Sequence, residues 1–297
     1  MTTLTRQRPA PPRPLFGRRR SRNPLVLALA RHALMICILI VILYPLLWMV
    51  AASFRPSNEA FGTLSIWPDD FTLDNYISGW SLGNLNFSRF FWNSLVITVL
   101  AVIGNVVACS MAAYAFARMS FPFKRTMFAL MLGTMLLPYH VTLVPQYVLF
   151  NELAWINTIL PLVVPKFLAT DAFFIFLMVQ FIRTLPQELD DAARLDGCGH
   201  VGIFRRVVLP LSIPALGTTA LFTFINTWND FLGPLLYLIR PEMWTVAQGL
   251  NGFLDATGES AYGPLFAMAT LSLAPIVGFF LVAQKLLIEG IATSGLK

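Results

Sequence analysis

Charged residues are scarce in this 297-residue sequence. Asp, Glu, Lys and Arg together make up 12% of it, hydrophobic residues make up 57%, and the mean hydropathy is +0.68. A typical soluble domain has about a quarter of its residues charged. The composition therefore excludes an ordinary soluble protein and predicts a chain that lies largely within a membrane.

Catalytic signatures are also missing. The sequence has no Gly-x-x-x-x-Gly-Lys-Ser/Thr phosphate loop, no Gly-x-Ser-x-Gly nucleophile elbow and no His-Glu-x-x-His zinc helix. Its cysteines (Cys37, Cys109 and Cys198) show no metal-ligand spacing, and we expect no structural disulfide. We therefore expect no catalytic residue, no bound metal and no ATP site in this chain.

Long hydrophobic runs are abundant instead. A hydrocarbon core about 30 Å thick needs about 20 helical residues to cross it. The candidate spans are Ala33–Ala52, Trp92–Ala117, Thr126–Phe150, Leu160–Ile182, Leu209–Ile239 and Gly263–Ile288. Pro138 and Pro145 interrupt the third span, and Pro234 interrupts the fifth. The pattern predicts an all-α integral membrane protein with six transmembrane helices.

Basic residues indicate the orientation. If both termini are cytoplasmic, all but four of the 21 Lys and Arg lie in cytoplasmic segments; the exceptions are Arg55, Arg89, Lys166 and Arg240. This bias favours cytoplasmic termini. An Arg/Pro-rich tail over residues 1–30 precedes the first span, and we interpret its positive charge as an orientation signal beside anionic lipid. The net charge of +6 is therefore not taken as a sign of nucleic-acid binding, and we expect no nucleic-acid partner.

A polar, helix-forming segment at residues 186–214 separates the fourth and fifth spans. Glu188, Asp190 and Asp191 would place negative charge at the positive end of a helix dipole, with Pro186 in the first turn. Gly197 is expected to end that helix. From its residues alone, the segment is either an interfacial connecting helix or an element to which another protein docks.

This segment closely resembles the EAA loop of ABC-importer permeases. The matching residues are Asp191, Ala192, Ala193, Asp196, Gly197, Phe204, Leu209 and Pro210. Asp191 stands where the family usually has Glu, and Cys198 where it usually has Ala. The resemblance implies that the loop is a coupling element that docks on a separate ATPase subunit.

Other segments are similar to the carbohydrate branch of these permeases, the maltose-type importers. They are Phe90–Leu95, Ala112–Arg118 followed by Phe121-Pro122, Leu137–Pro145, Phe224–Leu232 and the tail from Gln284 to Lys297. In that family the C-terminal tail can reach the ATPase dimer, which makes Gly290, Gly295 and Lys297 candidate contacts.

The resemblance implies a type I ABC importer permease fold in a bacterial cytoplasmic (inner) membrane. It divides the chain into a tail (1–30), a first helix with an extracytoplasmic loop (31–90), a permease core (91–284) and a cytoplasmic C-terminal tail (285–297). The implied partners are a second homologous permease, an ABC ATPase dimer, an extracytoplasmic solute-binding protein, membrane lipid and a small-molecule sugar. No cofactor is expected on this chain; ATP and Mg would bind the partner ATPase.

Polar residues inside the predicted spans are candidates for a solute path, because polar groups in hydrocarbon tend to face protein or water. Asn226, Trp228, Asn229 and Asp230 combine hydrogen-bonding groups with an aromatic ring and suit a sugar. Helix–helix hydrogen bonding is the alternative role. Lys166 and Asp171 are five residues apart on one predicted helix, so we expect them not to share a face.

Two other classes of protein stay open. An ion-gradient-driven secondary transporter would need an intramembrane ionisable relay, for which the candidates are Lys166, Asp171 and Asp230. A membrane scaffold would need no solute path at all. The loop at residues 186–214 favours the ABC permease over both.

Overall fold

The computed structural model of this chain describes residues 24–59, 65–68, 70–82, 85–254 and 261–294. Of these described residues, those up to Trp48 form one compact unit and those from Met49 onward form a second. The Arg-rich run of the predicted tail lies outside the described residues.

The described elements are almost entirely helical. The α-helices are α1 (Pro24–Ala52), α2 (Asp74–Gly79), α3 (Phe87–Arg118), α4 (Lys124–Thr134), α5 (Tyr139–Glu152), α6 (Leu160–Phe167), α7 (Ala172–Thr184), α8 (Glu188–Leu195), α9 (His200–Ile203), α10 (Leu209–Leu211), α11 (Ile213–Trp228), α12 (Leu232–Tyr237), α13 (Val246–Asn251) and α14 (Tyr262–Ser294). Short 3₁₀ turns cover Ser57–Glu59 and Pro241–Met243, and a π-helical segment covers Phe204–Val208. Strands β1 (Ser81–Leu82) and β2 (Leu85–Asn86) form a small antiparallel hairpin.

Four described helical segments are long and apolar enough to cross a membrane. They are Leu25–Ala52, Phe87–Arg118, Leu160–Thr184 and Tyr262–Gln284. Two bent pairs also qualify if each counts as one span: α4 with α5, which meet at 100°, and α9–α10 with α11, which meet at 75°. The chain is a multi-pass membrane protein.

The ends of several helices differ from the predicted spans. α1 begins at Pro24 rather than Ala33, so residues 24–30 of the predicted tail are helical; proline suits this first helical position because its missing N–H would have no partner there. The predicted fourth span is divided between α6 and α7, because the backbone turns at Ala169 with φ 53°. The predicted fifth span breaks at Ser212 and again after Trp228.

The long helix α3 is the centre of the second unit, and it packs against α6, α7, α11 and α13. One buried cluster joins α3, α7 and the segment from α9 to α11, and its members include Met178, Ile182, Ile203 and Val208. A second cluster joins α3, α11, α13 and α14 and includes Phe87, Phe90, Phe224, Trp228 and Met268. Inside the membrane region, Asn105 of α3 donates a 2.8 Å hydrogen bond to Thr223 of α11.

The segment between α1 and α3 is organised by Asn75. Its side-chain amide donates to the carbonyls of Ser53 (2.9 Å) and Arg55 (2.6 Å), and its carbonyl accepts from Ser57 (2.7 Å). A Cβ at Gly263, at the start of α14, would lie 2.3 Å from Asn75 Oδ1, so glycine is required for this close approach. These contacts attach the predicted extracytoplasmic loop to α14.

Candidate functional site

The predicted coupling loop is a short helix with defined ends. α8 begins at Glu188, with Gln187 as its N-cap, so Pro186 lies just outside the helix rather than in its first turn. At the other end Gly197 has φ 82°. Its N–H donates to the Arg194 carbonyl (3.0 Å), and the N–H of Cys198 donates to the Ala193 carbonyl (2.9 Å). This is the Schellman arrangement, and its left-handed residue explains the glycine.

A buried ion pair holds α8 to the end of α3. Arg118 Nε lies 3.2 Å from Asp190 Oδ2, and both side chains are only 4% exposed. Arg118 also donates a 2.7 Å hydrogen bond to the carbonyl of Leu185, just before α8. From the sequence, Asp190 is predicted in the charged first turn of the helix but not among the site residues. The sequence feature that could have predicted this pair is Arg118, which ends a largely apolar helix close to a loop rich in carboxylates.

Aromatic contacts form a second attachment between the loop and α3. The Tyr114 ring centroid lies 5.3 Å from that of Phe204, and its hydroxyl lies 3.3 Å from His200 Nδ1. Ala193 and Phe204 both pack against the buried cluster of α3 and α7. These two predicted coupling residues therefore face the membrane part of the protein.

The other face of the loop is exposed. Asp191, Ala192, Asp196 and Gly197 are all exposed, and Asp191 forms an ion pair with Arg194 at 2.5 Å on the surface. Leu195 is 91% exposed. An apolar side chain in that position suits contact with another protein. Six of the eight predicted coupling residues, all but Leu209 and Pro210, are thus divided between two faces of the loop.

Prolines shape the return to the membrane at Leu209 and Pro210. Pro210 provides no N–H for a bond to the preceding turn, and the backbone before it is π-helical over Phe204–Val208. Pro214 removes a second N–H, and the chain bends by 75° around Ser212. The loop therefore joins α11 through a sharp and locally unusual connection.

A cavity of about 480 Å³ lies among the broken helices. Its lining residues are Ser94, Ile97, Tyr139, Leu162, Lys166, Asp171, Asn226, Thr227, Asp230, Pro234 and Thr245. A second cavity of about 400 Å³ shares Asp171 and Asn226 with it. Non-helical backbone between α4 and α5, between α6 and α7, and after α11 contributes residues to this region. Irregular backbone at membrane depth is tolerated where it lines a water-filled cavity.

Lys166 and Asp171 form an ion pair on the cavity wall, with 2.8 Å between Lys166 Nζ and Asp171 Oδ2. Our expectation that they would not meet was wrong, because it assumed one continuous helix. α6 ends at Phe167 and α7 starts at Ala172. The turn between the two helices brings the two charges together.

The four predicted solute-path residues separate in the structure. Asn226 and Asp230 line the cavity. Trp228 does not line it but is buried in the second cluster, where its Nε1 donates to the Ser272 carbonyl at 3.2 Å. Asn229 is exposed and bonds the carbonyl of Ile225 in its own helix at 2.9 Å. A helical turn places adjacent residues on different faces, and this explains the division.

Of the predicted tail contacts, Gly290 lies in α14, whereas Gly295 and Lys297 lie outside the described residues. Within the described ranges, no group of three or more His, Cys, Asp or Glu residues is placed to hold a metal ion.

These features are those of a membrane permease. The family model for binding-protein-dependent transport system inner membrane components matches residues 104–292, and the chain belongs to this family. The resemblance to ABC-importer permeases of the carbohydrate branch is thereby confirmed, together with the sequence similarities that follow.

Three named relatives illustrate the similarity. The chain is 36% identical to the probable ABC transporter permease protein YurM of Bacillus subtilis, over 87% of this chain and 85% of the relative. It is 35% identical to the arabinooligosaccharides transport system permease protein AraQ of Halalkalibacterium halodurans, over 86% and 91%. It is 32% identical to the trehalose/maltose transport system permease protein MalG of Thermococcus litoralis, over 87% and 92%.

A solved structure shares the fold. One chain of a bacterial ABC transporter involved in the import of the acidic polysaccharide alginate matches with a TM-score of 0.76, over 89% of this chain and 98% of that chain. The two sequences are 21% identical.

Proposed function

We propose that this chain is a permease subunit of an ATP-driven ABC importer that carries a sugar or sugar-like solute by alternating access. Family membership supports the importer class, and the arabinooligosaccharide and trehalose/maltose relatives favour a carbohydrate cargo. The observation that carries the proposal is α8, which is exposed on one face and held by buried contacts on the other.

The proposed topology has six spans, with each bent helix pair counted as one, in a bacterial cytoplasmic membrane. Both termini then face the cytoplasm, as the distribution of Lys and Arg favours. Residues 91–284 would form the permease core, residues 31–90 the first helix and an extracytoplasmic loop, and residues 285–297 a cytoplasmic tail. The tail residues Gly290, Gly295 and Lys297 would approach the ATPase.

The proposed complex contains this chain, a second homologous permease, two ATPase subunits and an extracytoplasmic solute-binding protein. ATP and Mg would bind the ATPase subunits, and this chain would bind no cofactor. Asp191, Ala192 and Asp196 would face the ATPase, because they lie on the exposed side of the loop. Leu195 provides the apolar surface that such a contact needs.

Coupling would proceed through the attachments between α8 and α3. When the ATPase moves α8, the Arg118–Asp190 pair and the contact between Tyr114 and Phe204 would carry that motion to α3. α3 packs against α6, α7 and α11, which line the cavities. A motion of α3 would therefore change access to the cavity. Such a switch requires that the ATPase bind α8 differently in the two states.

The cavity is the proposed solute path. Asn226, Thr227 and Asp230 offer hydrogen-bond donors and acceptors that can replace water around sugar hydroxyls. Lys166 and Asp171 already satisfy each other. We therefore assign direct solute contact first to Asn226 and Asp230.

The first test is a mild-detergent purification of the tagged chain from its native membrane, with identification of every co-purifying subunit. A Walker-motif ATPase and a second permease would support the proposal. Any solute-binding protein recovered would then be screened against sugars, and the reconstituted complex assayed for ATP-dependent uptake. Recovery of the chain alone, stably folded and without an ATPase, would overturn it.

An ion-gradient-driven transporter is the alternative, since the cavity wall carries ionisable groups. The two classes differ in their energy source. Uptake that survives ATP depletion but stops when a protonophore collapses the proton gradient would favour the alternative. Uptake that stops on ATP depletion while the gradient persists would favour the importer.

A further inference from the structure

The turn between α3 and α4 holds an aromatic residue in a strained conformation. Phe123 has φ 58° and is 79% exposed. A bulky residue rarely adopts a left-handed conformation, and such strain often accompanies a functional site. Beside Phe123 is a shallow cavity of about 380 Å³, whose six lining residues are Ser120, Phe121, Phe123, Lys124, Arg125 and Thr126.

This cavity is positively charged. Lys124 and Arg125 line it, and none of its six described lining residues is acidic. Arg183 of α7 lies within electrostatic reach of Lys124, and its guanidinium carbon is 5.6 Å from the centre of the Phe128 ring. Lys124 Nζ donates to the Met119 carbonyl at 2.6 Å, which fixes the ammonium group at the cavity while two of its three protons stay available.

An apolar stripe continues from the same turn along α4. Phe123, Met127 and Leu130 are all exposed, and their spacing puts them on one face of the helix. Phe128 points the other way and packs against Phe116, with ring centroids 5.3 Å apart. The exposed stripe and the basic cavity therefore meet at Phe123.

We propose that this turn binds an anionic phospholipid, with the headgroup phosphate at Lys124 and Arg125 and an acyl chain along Phe123, Met127 and Leu130. The charge of the cavity suits a phosphate, and the length of the stripe suits a hydrocarbon chain. Free phosphate would gain nothing from the stripe. The assignment to the cytoplasmic leaflet rests on the topology given under Proposed function.

The test compares lipids on the purified, delipidated complex. Binding of phosphatidylglycerol and of phosphatidylcholine is measured by native mass spectrometry and by thermal stabilisation, with inorganic phosphate as a separate probe. We expect phosphatidylglycerol to bind and stabilise the wild-type complex in preference to phosphatidylcholine, while millimolar phosphate has no effect. Each basic residue near a membrane surface contributes about fivefold in affinity, so Lys124→Gln with Arg125→Gln should weaken phosphatidylglycerol binding about 25-fold.

The matched control is Arg205→Gln with Arg206→Gln, which removes the same charge from another cytoplasmic segment. Equal loss in both double variants would mean general electrostatic attraction and would overturn the site. Full competition by inorganic phosphate would mean an anion site without a lipid role. Loss of a protein subunit from the Lys124/Arg125 variant would assign the surface to that subunit.

ATPase and uptake assays on the same preparations are scored separately. Failure of the transport proposal can therefore be distinguished from failure of the lipid site.

Discussion

Arg118 and Asp190 lie 3.2 Å apart in a site where both side chains are 4% exposed, whereas the neighbouring carboxylate of Asp191 is 68% exposed. Two adjacent acids of one short helix thus lie in different surroundings, one buried and one exposed. Asp190 joins α8 to α3, and Asp191 lies on the surface with Arg194. The pair offers a direct way to separate the attachment of the loop from its contact with another protein.

We predict that Asp190→Asn destabilises the protein by about 3 kcal/mol, because it leaves the Arg118 charge buried without its partner. Asp191→Asn should change stability by less than about 1 kcal/mol, since its ion pair is exposed. Thermal unfolding of the purified complex measures both. ATP hydrolysed per solute imported should rise in the Asp190 variant. Equal stability of the two variants would contradict the assignment.

A double-mutant cycle tests the same pair more strictly. Arg118→Met combined with Asp190→Leu removes both charges, so the double variant should be more stable than either single variant. Additive losses would show that the two residues act independently. Arg118→Lys keeps the charge but not the planar guanidinium. Its stability should therefore lie between that of Arg118→Met and that of the wild type.

Gly197→Asp should leave the chain inserted in the membrane but uncouple ATP hydrolysis from uptake. The left-handed φ of 82° at Gly197 costs a residue with a side chain about 1–2 kcal/mol. Gly199→Asp is the matched control, because a Cβ at either glycine meets nothing within 4 Å and Gly199 has an ordinary φ of −78°. Loss of coupling in Gly197→Asp but not in Gly199→Asp would assign the effect to position 197 rather than to an added carboxylate in this loop. Normal uptake by the Gly197 variant would count against the role of the loop.

Asp230→Asn should reduce the maximal rate of uptake by at least about tenfold, since hydrogen bonds to a charged group contribute about 1.5–3 kcal/mol. Asn229→Ala should stay within about twofold of wild type, because Asn229 bonds only its own helix in the described structure. Uptake is measured at saturating binding protein and cargo. A comparable loss of uptake rate in both variants would contradict the assignment of Asp230, but not Asn229, to the solute path.

Gly249→Ala should destabilise the protein by about 1–3 kcal/mol through overpacking. A Cβ at Gly249 would lie 2.4 Å from the ring of Phe90, which is fully buried. Gly278→Ala in α14 is the control, with nothing within 4 Å of the added atom. Denaturation of the two variants measures the difference, and similar stabilities would contradict the packing of α13 on α3.

The membrane class, the family, the approximate positions of most apolar helices and the end of α8 at Gly197 could all be predicted from the sequence. Each follows from a pattern that is local in the sequence. The patterns are the length of an apolar run compared with the thickness of the hydrocarbon core, the end of a helix at a glycine, and the spacing of motif residues. The turn at Ala169 and the start of α1 at Pro24 were not predicted, because apolar runs do not show where a helix ends inside a long hydrophobic segment.

The tertiary structure was needed to show which polar side chain faces which partner. It buried Asp190 rather than Asp191, paired Lys166 with Asp171, and turned Trp228 into the core while Asp230 lines the cavity. The direction of each side chain follows from how α3, α7, α11 and α14 pack together, and that packing depends on contacts between segments far apart in the sequence.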